Sequence, residues 1–484
     1  MGAPVVVTRP ASWWARPWAR PWDRPFAVLA GSAGVGLAVG FAAGHEQSLA
    51  LMLAAVAGVV LLRRPATGVL ALLLFAEEID SSSAFGRAAS RWARPAPGTY
   101  YAQLGGFRLL VVVLAIGLGA VVVYELVAAG TRRLGPWTAR TRGVLIAMLM
   151  VNMVLALRGA SRAGAGDLLS SFKSGLPIVV LLLGFGLGAS VVRDRREVQS
   201  AQRAAAGVLL LKAAIALMLA ATGAAVALNG VRLLVYYDAA LPAAAAAVMV
   251  AALVSRRLTP GLAVAAGASL VVVVFSFRRS VWVSLLLLVA FVTVANWRAP
   301  VRRRLLLGAL AALTVVGLAA PRLFGVVERR ASAVTATLKG TGNEASTQAH
   351  LSDLRVGWRY VRRHPIFGIG PRADQLPELS AVASQRLYVH DELLETWLRM
   401  GILGVGLLVV FLAVVSVGSM RLLTRADQPP LVHAAGALCL GVLVPLVTAP
   451  FLTTTLRWPA LVGIAAGVVC EQMDAQGDGA STPV

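Results

Sequence analysis

Acidic side chains are scarce in this chain: 22 Asp and Glu stand against 45 Lys and Arg in 484 residues, with 5 His and 2 Cys. Cys439 and Cys470 both fall inside apolar segments and read as small core residues. Two such cysteines exclude a disulfide framework, and no zinc or haem spacing is present. No GxxxxGK[ST] run occurs, and the one "GIGP" turn follows a helical pattern, not a strand, so nucleotide-binding folds fail on context. The N-terminal "RPASWWARPWARPWDRPF" lacks the cleavage pattern of a signal peptide. Its Trp and Arg suit the cytoplasmic membrane interface. A disordered Pro-rich tail fits the same residues. No inverted internal repeat of the transporter kind is visible.

Apolar residues are abundant, at 58% of the chain with a mean hydropathy of +0.77, outside the range of a soluble globular protein. Their runs are continuous and do not alternate, which excludes a β-barrel. Many are long enough to cross a bilayer core of about 30 Å as helices, the form in which the backbone satisfies its own hydrogen bonds in lipid. Spans are expected near 26–43, 48–62, 66–76, 107–130, 143–160, 176–192, 204–226, 242–254, 261–276, 281–295, 305–320, 393–417, 431–449 and 457–472. The fold class is therefore all-α: a polytopic membrane protein with roughly 12–14 transmembrane helices.

Arginine sets the expected orientation. The clusters Arg63–Arg64, Arg132–Arg142, Arg193–Arg203, Arg256–Arg257, Arg298–Arg304 and Arg421–Arg425 fall at alternate gaps, the positive-inside pattern. This accounts for the net charge of +23 without nucleic acid. Those gaps and both termini are expected in the cytoplasm. The expected organisation is a tail at 1–25, eleven helices in 26–320, a large extracytoplasmic loop at 321–392, further helices in 393–472 and a cytoplasmic tail at 473–484. The large loop breaks the charge rule, since it carries arginines that are not needed to set topology. Within it, Leu351, Leu354, Trp358 and Val361 recur at helical spacing. Ser346 or Thr347 suits a cap, and Pro365 should end the helix at His364.

Three segments on the expected outer side carry chemistry. "FSFRRSVWV" (275–283) places Arg278 and Arg279 in a hairpin where Gly or Ser would serve. A pair of interface arginines reaching for water fits these residues as well as a binding role does. "SDLRVGWRYVRRHPIFGIGP" (352–371) carries Arg355, Arg359, Arg362 and Arg363, the first three able to share a helix face. It then turns at Gly368 and Gly370, which permit unusual backbone or close approach. A solvated charged face is the alternative. "LYVHDELLETWLRMGILGVGLLV" (387–409) puts His390 and Asp391 where a polar segment becomes an apolar helix, with His390, Leu394 and Trp397 on one face. Such a histidine is either structural or an acid–base group. Together the segments suggest a basic outer pocket suited to phosphate, which guanidinium groups match bidentately. At a membrane surface that phosphate belongs to a lipid or a lipid-linked donor. No acidic pair in a clear metal-binding arrangement accompanies it, although Asp353, Asp374 and Asp391 keep a cation open.

These segments resemble the O-antigen ligase and O-antigen polymerase (Wzy-type) family of bacterial envelope glycosyltransferases. The family shows an arginine hairpin of the "SRGAWL" type, a loop arginine, an "hPlfGiGpG" turn and an "HN.yLe…GllG" helix start. The equivalents here are "RRSVW" with Arg279, then Arg355, "HPIFGIGP" (364–371) and "HDELLETWLRMGILG" (390–404). The matching part covers about 130 residues, and the first 250 match only as generic spans. Arg372 stands where the family has Gly, and Asp391 where it has Asn.

The resemblance implies a GT-C-like membrane fold and a metal-independent, inverting transfer of glycan from an undecaprenyl-diphosphate donor to an acceptor hydroxyl, at the outer face of the bacterial cytoplasmic membrane. The acceptor is a glycan or glycolipid, and no cofactor is required. It implies His390, Arg279 and Arg355 as catalytic residues, with Arg278, Arg359, Arg362, Arg363, Gly368, Gly370, Arg372 and Asp391 binding substrate. A flippase of lipid-linked oligosaccharide is the competing reading. It would place charge within the spans, which are almost free of it apart from Glu125. A peptidoglycan polymerase of the shape-and-division class is a third, without matching motifs.

Overall fold

The computed structural model describes residues 65–75, 103–104, 107–108, 134–163, 165–193, 195–221, 239–276, 278–298, 300–310, 345–370, 389 and 391–480. The spans expected at 26–43 and 48–62, nearly all of that at 107–130, and both tails except 473–480 lie outside them. What is described is helices and their connecting turns, with a short antiparallel ladder of β1 (Gln103–Leu104) with β2 (Phe107–Arg108). The helices are α1 (Pro65–Phe75), α2 (Pro136–Ala163), α3 (Ala165–Val192), α4 (Arg195–Ala221), α5 (Ala240–Val254), α6 (Pro260–Ser276), α7 (Arg279–Ala295), α8 (Ala345–Arg363), α9 (Glu392–Leu423), α10 (Pro430–Gly441), α11 (Leu443–Leu446), α12 (Phe451–Thr454) and α13 (Arg457–Ala480). A further helical stretch covers 300–310.

The protein is an all-α polytopic membrane protein. Segments Pro136–Gly159, Gly175–Val192 and Glu392–Leu423 are long and apolar enough to cross a membrane, and four shorter apolar helices accompany them. Several of the expected spans change bounds: α2 begins at Pro136 and α3 at Ala165, well before the expected 143 and 176, and α9 and α13 run on to Leu423 and Ala480. The segment expected at 204–226 begins at Arg195, because "REVQSAQRAAA" is polar but helix-forming and simply extends the element. The one expected at 431–449 breaks after Gly441 into α10 and α11.

The centre of the bundle is the crossing of α3 with α13. Gly184 and Gly188 on α3 meet Gly463 and Gly467 on α13, each pair spaced by four. A Cβ on Gly184 would lie 2.7 Å from the Ala460 carbonyl oxygen, and one on Gly463 would lie 2.9 Å from the Phe185 nitrogen. Small residues at this spacing let backbones approach closely, the main source of helix association in lipid.

The end of the bundle that carries most arginines is tied by polar contacts. Asp474 of α13 accepts from the Trp137 and Thr138 amides at 2.8 and 3.0 Å, capping the start of α2. Arg193 forks onto Glu471 at 2.6 and 2.9 Å. Arg304 donates to the terminal carbonyls of α5, those of Ala252, Leu253 and Ser255. These contacts tie one end of the bundle, while α8 and the turn that follows it pack against the other end of α9.

Candidate functional site

The site is built from α8, the turn at 364–370 and the first turns of α9. Helix α8 starts at Ala345, so Ser346 and Thr347 lie inside its first turn and are not the cap. It ends at Arg363, just before Pro365, as the restriction ahead of proline requires. Its buried face differs slightly from the expected stripe. Val361 is in the core with Val389, Leu394 and Leu398, and Leu354 packs on that cluster. Gly357 supplies the close approach: a Cβ there would touch Leu394 and Val389 at 3.0 Å. Trp358 lies at the margin, 45% exposed, edge-on to Trp397 with ring centroids 5.9 Å apart.

Beyond Arg363 the chain turns and locks into α9. Gly368 and Gly370 have φ of +64° and +107°, left-handed values that favour glycine. Helix α9 is itself broken, at Gly401, where φ is +67°. The two irregular backbones face each other and exchange the hydrogen bonds that each has lost. The Ile369 amide donates to the Leu398 carbonyl at 2.7 Å, and the Ile402 amide donates to the Pro365 carbonyl at 3.1 Å. Trp397 Nε1 donates to the same Pro365 oxygen at 2.8 Å. A Cβ on Gly368 would come within 2.6 Å of the Trp397 carbonyl oxygen, and one on Gly401 within 2.7 Å of the Phe367 Cα. "HPIFGIGP" and "RMGILG", separate in sequence, are therefore two halves of one backbone joint. Gly370 has open space where its Cβ would stand and is required for conformation alone.

This joint carries the arginines. Arg355, Arg359, Arg362 and Arg363 are all exposed on α8, and Arg362 lies 5.6 Å over the Trp358 ring. Arg278 and Arg279 stand on a different element, at the start of α7. Arg278 is the N-cap of α7 and Arg279 its first residue, half-buried and exposed respectively. Helix α7 packs on α5, α10 and α11, fixed by a 2.7 Å hydrogen bond from Ser284 to the Gly441 carbonyl. Two cations at a helix start oppose the macrodipole, and no acid in the first turn offsets them. A positive helix end is favourable toward an anion.

His390 and Arg372 lie outside the described residues. Asp391 has an evident local role: it is the N-cap of α9, and its Oδ1 accepts from the Leu394 amide at 2.7 Å. The expectation that His390 shares a face with Leu394 and Trp397 falls on a residue outside the described ones; α9 itself begins at Glu392.

Reading the sequence alone passed over three features. Below the cap, Glu395 pairs with Arg399 at 2.6 Å and accepts from the Val389 amide at 3.2 Å, both side chains buried. Glu392, fully buried, accepts from the Leu452 amide at 2.7 Å and so ties α12 to the start of α9. The pattern "ETWLR" is a visible i,i+4 pair, but its burial is not readable from spacing. The third feature is Arg158 in the last third of α2, whose guanidinium lies 4.9 Å over the Phe367 ring. Lys212 adds a correction to the account of span charge. It lies in the apolar part of α4 and is 1% exposed, so Glu125 is not the main exception by itself.

Comparison with known proteins bears on this geometry. Residues 262–409 match a family model described as O-antigen ligase. The match covers just under a third of the chain and takes in α6, α7, α8, the turn and α9 as far as Val409. It includes all three motif segments and supports the resemblance to the O-antigen ligase and polymerase family, with a glycan-transfer function of that general type. No curated protein matches the chain.

Proposed function

We propose that this protein transfers a saccharide from an undecaprenyl-diphosphate-linked donor to an acceptor hydroxyl, at the extracytoplasmic face of a bacterial cytoplasmic membrane. The observation that carries the reading is the interlocked joint of Gly368 with Gly401. A connector between two helices needs no such joint. A rigid platform for several guanidinium groups does, since preorganised charge is worth more than mobile charge at a reacting centre.

In the reaction, the diphosphate is the leaving group. Arg279 and Arg355 hold it and offset the charge that develops as the anomeric C–O bond breaks. Arg278, Arg359, Arg362, Arg363 and Arg372 extend the basic surface for the donor. His390 takes the proton of the acceptor hydroxyl as the new C–O bond forms, a contribution of about 10²–10⁴-fold for general-base catalysis. Direct displacement inverts the anomeric centre, and the diphosphate leaves without a metal ion. The Asp391 cap positions the segment that carries His390. The acceptor is a glycan or glycolipid of the envelope.

The test is glycan transfer in proteoliposomes supplied with undecaprenyl-diphosphate glycan. Wild type is expected to form product with and without EDTA, and Arg279→Ala, Arg355→Ala and His390→Ala to lose it while remaining folded. Full activity in all three variants would overturn the site assignment, and sensitivity of wild type to EDTA would overturn metal independence.

One observation favours a second reading. A buried lysine inside a membrane helix, such as Lys212, is costly and usually functional, and a flippase of lipid-linked oligosaccharide would place charge there. The same vesicles decide the matter. Transbilayer movement of the donor without product formation would favour the flippase.

A further inference from the structure

We infer that Ile366 and Phe367, at the tip of the turn after α8, insert into the adjacent bilayer leaflet as an apolar wedge that seats α8 on the phospholipid surface. The inference does not depend on the glycan-transfer reading.

Two spans set the depth of this turn independently. Between Arg399 and Arg421, α9 carries no charged residue over about twenty positions, the length a helix needs to cross a hydrocarbon core of about 30 Å. The break at Gly401 therefore stands at one edge of that core. The turn is bonded across the break, by the Ile402 amide on the Pro365 carbonyl at 3.1 Å and the Ile369 amide on the Leu398 carbonyl at 2.7 Å. Helix α2 gives the same level. Its uncharged stretch begins after Arg142 and is closed by Arg158. Trp137, before that stretch, has the Arg421 guanidinium 5.5 Å from its ring centroid, so α2 starts at the Arg421 end of α9. Arg158 then belongs to the opposite boundary, and its guanidinium carbon is 4.9 Å from the Phe367 ring centroid.

Helix α8 descends to this boundary beside the first turns of α9. The contacts advance in step: Gly357 faces Val389 and Leu394, Trp358 meets Trp397, and Pro365 meets Ile402. The turn is the end of α8 nearest the span. Its two apolar side chains are left uncovered by the protein, Ile366 at 56% and Phe367 at 49% exposure. They continue the uncovered surface of Ile402 and Leu403, which are 46% and 54% exposed at the start of the apolar stretch. Such a surface at this depth meets lipid, and burial there removes apolar area from water. The residues just above the tip suit headgroups. Arg362, Arg363 and His364 are exposed, and the Trp358–Trp397 pair stands one to two turns further out. Tryptophan and arginine concentrate at that level of a bilayer. The joint of Gly368 with Gly401 has a second consequence: it holds the wedge at a fixed height against the span.

The experiment places a nitroxide on single cysteines in proteoliposomes of phosphatidylethanolamine and phosphatidylglycerol. Both native cysteines are buried, so labelling is confined to the new site. Ile366→Cys and Phe367→Cys are compared with Leu403→Cys, in the span, and Ser352→Cys, exposed on α8. Accessibility to oxygen and to a polar nickel chelate is read by electron paramagnetic resonance. The oxygen-to-nickel ratio at positions 366 and 367 should match that at 403 and exceed that at 352 by about ten-fold, because a polar reagent is excluded from hydrocarbon. A ratio at 366 and 367 equal to that at 352 would overturn the inference, since the tip would then stand in water. Protection from both reagents would also overturn it, by showing a protein or a second copy on the face. The unsubstituted protein supplies a check free of labelling artefacts. A phospholipid with a diazirine on its acyl chain should cross-link to Ile366 or Phe367. Cross-linking at Leu403 with none at the turn would count against the wedge.

Discussion

Gly368 and Gly401 meet across a gap that leaves no room for a Cβ on either side, and both need a left-handed backbone. Substituting alanine at either position should cost about 1–3 kcal/mol through strain, with further loss from displaced backbone. Gly370 shares the conformation but not the crowding, so Gly370→Ala should cost only about 1 kcal/mol. Thermal unfolding in detergent, run on all three variants, should rank Gly370→Ala as the mildest. An equal cost at Gly368 and Gly370 would show that the joint does not close as described. Asp391 offers a second residue-scale check. Its carboxylate caps α9, and asparagine caps as well as aspartate does. Asp391→Asn should leave stability unchanged, whereas Asp391→Ala should cost about 1 kcal/mol. The family's Asn at this position is then a conservative difference in structure, and any change in activity of Asp391→Asn reads out charge.

Among the elements, α8 is the one whose stability is most exposed to test. It is held to α9 by a small apolar cluster of Val361, Val389, Leu394 and Leu398, while its other face carries charge. Leu398→Ala should cost about 2–5 kcal/mol locally, because it removes a fully buried side chain beside the joint. The expected result is earlier cleavage of the segment near α8 in limited proteolysis, with the α3–α13 crossing still intact. Arg355→Ala, by contrast, lies on the exposed face and should leave proteolysis unchanged while lowering transfer. That contrast separates a residue that builds the platform from one that uses it.

At the scale of the whole molecule the question is sidedness. The charge pattern expects the 298–304 arginines in the cytoplasm and the α8 arginines outside. Both native cysteines are buried, so single cysteines placed by substitution can report position. In intact cells Arg359→Cys should react with an impermeant maleimide, whereas Arg303→Cys should react only after permeabilisation. Labelling of both from outside, or of position 303 alone, would reverse the topology and remove the donor-facing role of α8. The two ends of the bundle also differ in construction. Both carry an ion pair and a cap, Arg193 with Glu471 at one and Glu395 with Arg399 at the other, but the backbone joint and the cation over an aromatic ring belong to the second.

Much of the architecture was legible in the sequence. Continuous apolar runs specify membrane helices because lipid leaves the backbone no other way to bond, and Pro365 ends α8 because its ring excludes helix geometry before it. The left-handed turn was likewise signalled by Gly368 and Gly370. What the sequence could not determine was which backbone that turn would meet. "RMGILG" reads as the start of an apolar helix, and nothing local says that Gly401 breaks it. Only the packed structure sets the Pro365 carbonyl against the Ile402 amide and the Leu398 carbonyl against the Ile369 amide, and so makes two distant glycines depend on each other. The same holds for Arg158, more than two hundred residues before Phe367 in the chain, and for Glu392, whose partner is the Leu452 amide. Local pattern fixes the elements because backbone geometry and hydrophobicity act over a few residues. Contacts between distant elements depend on how helices of similar composition choose one another, and that choice was made by shape at the glycines.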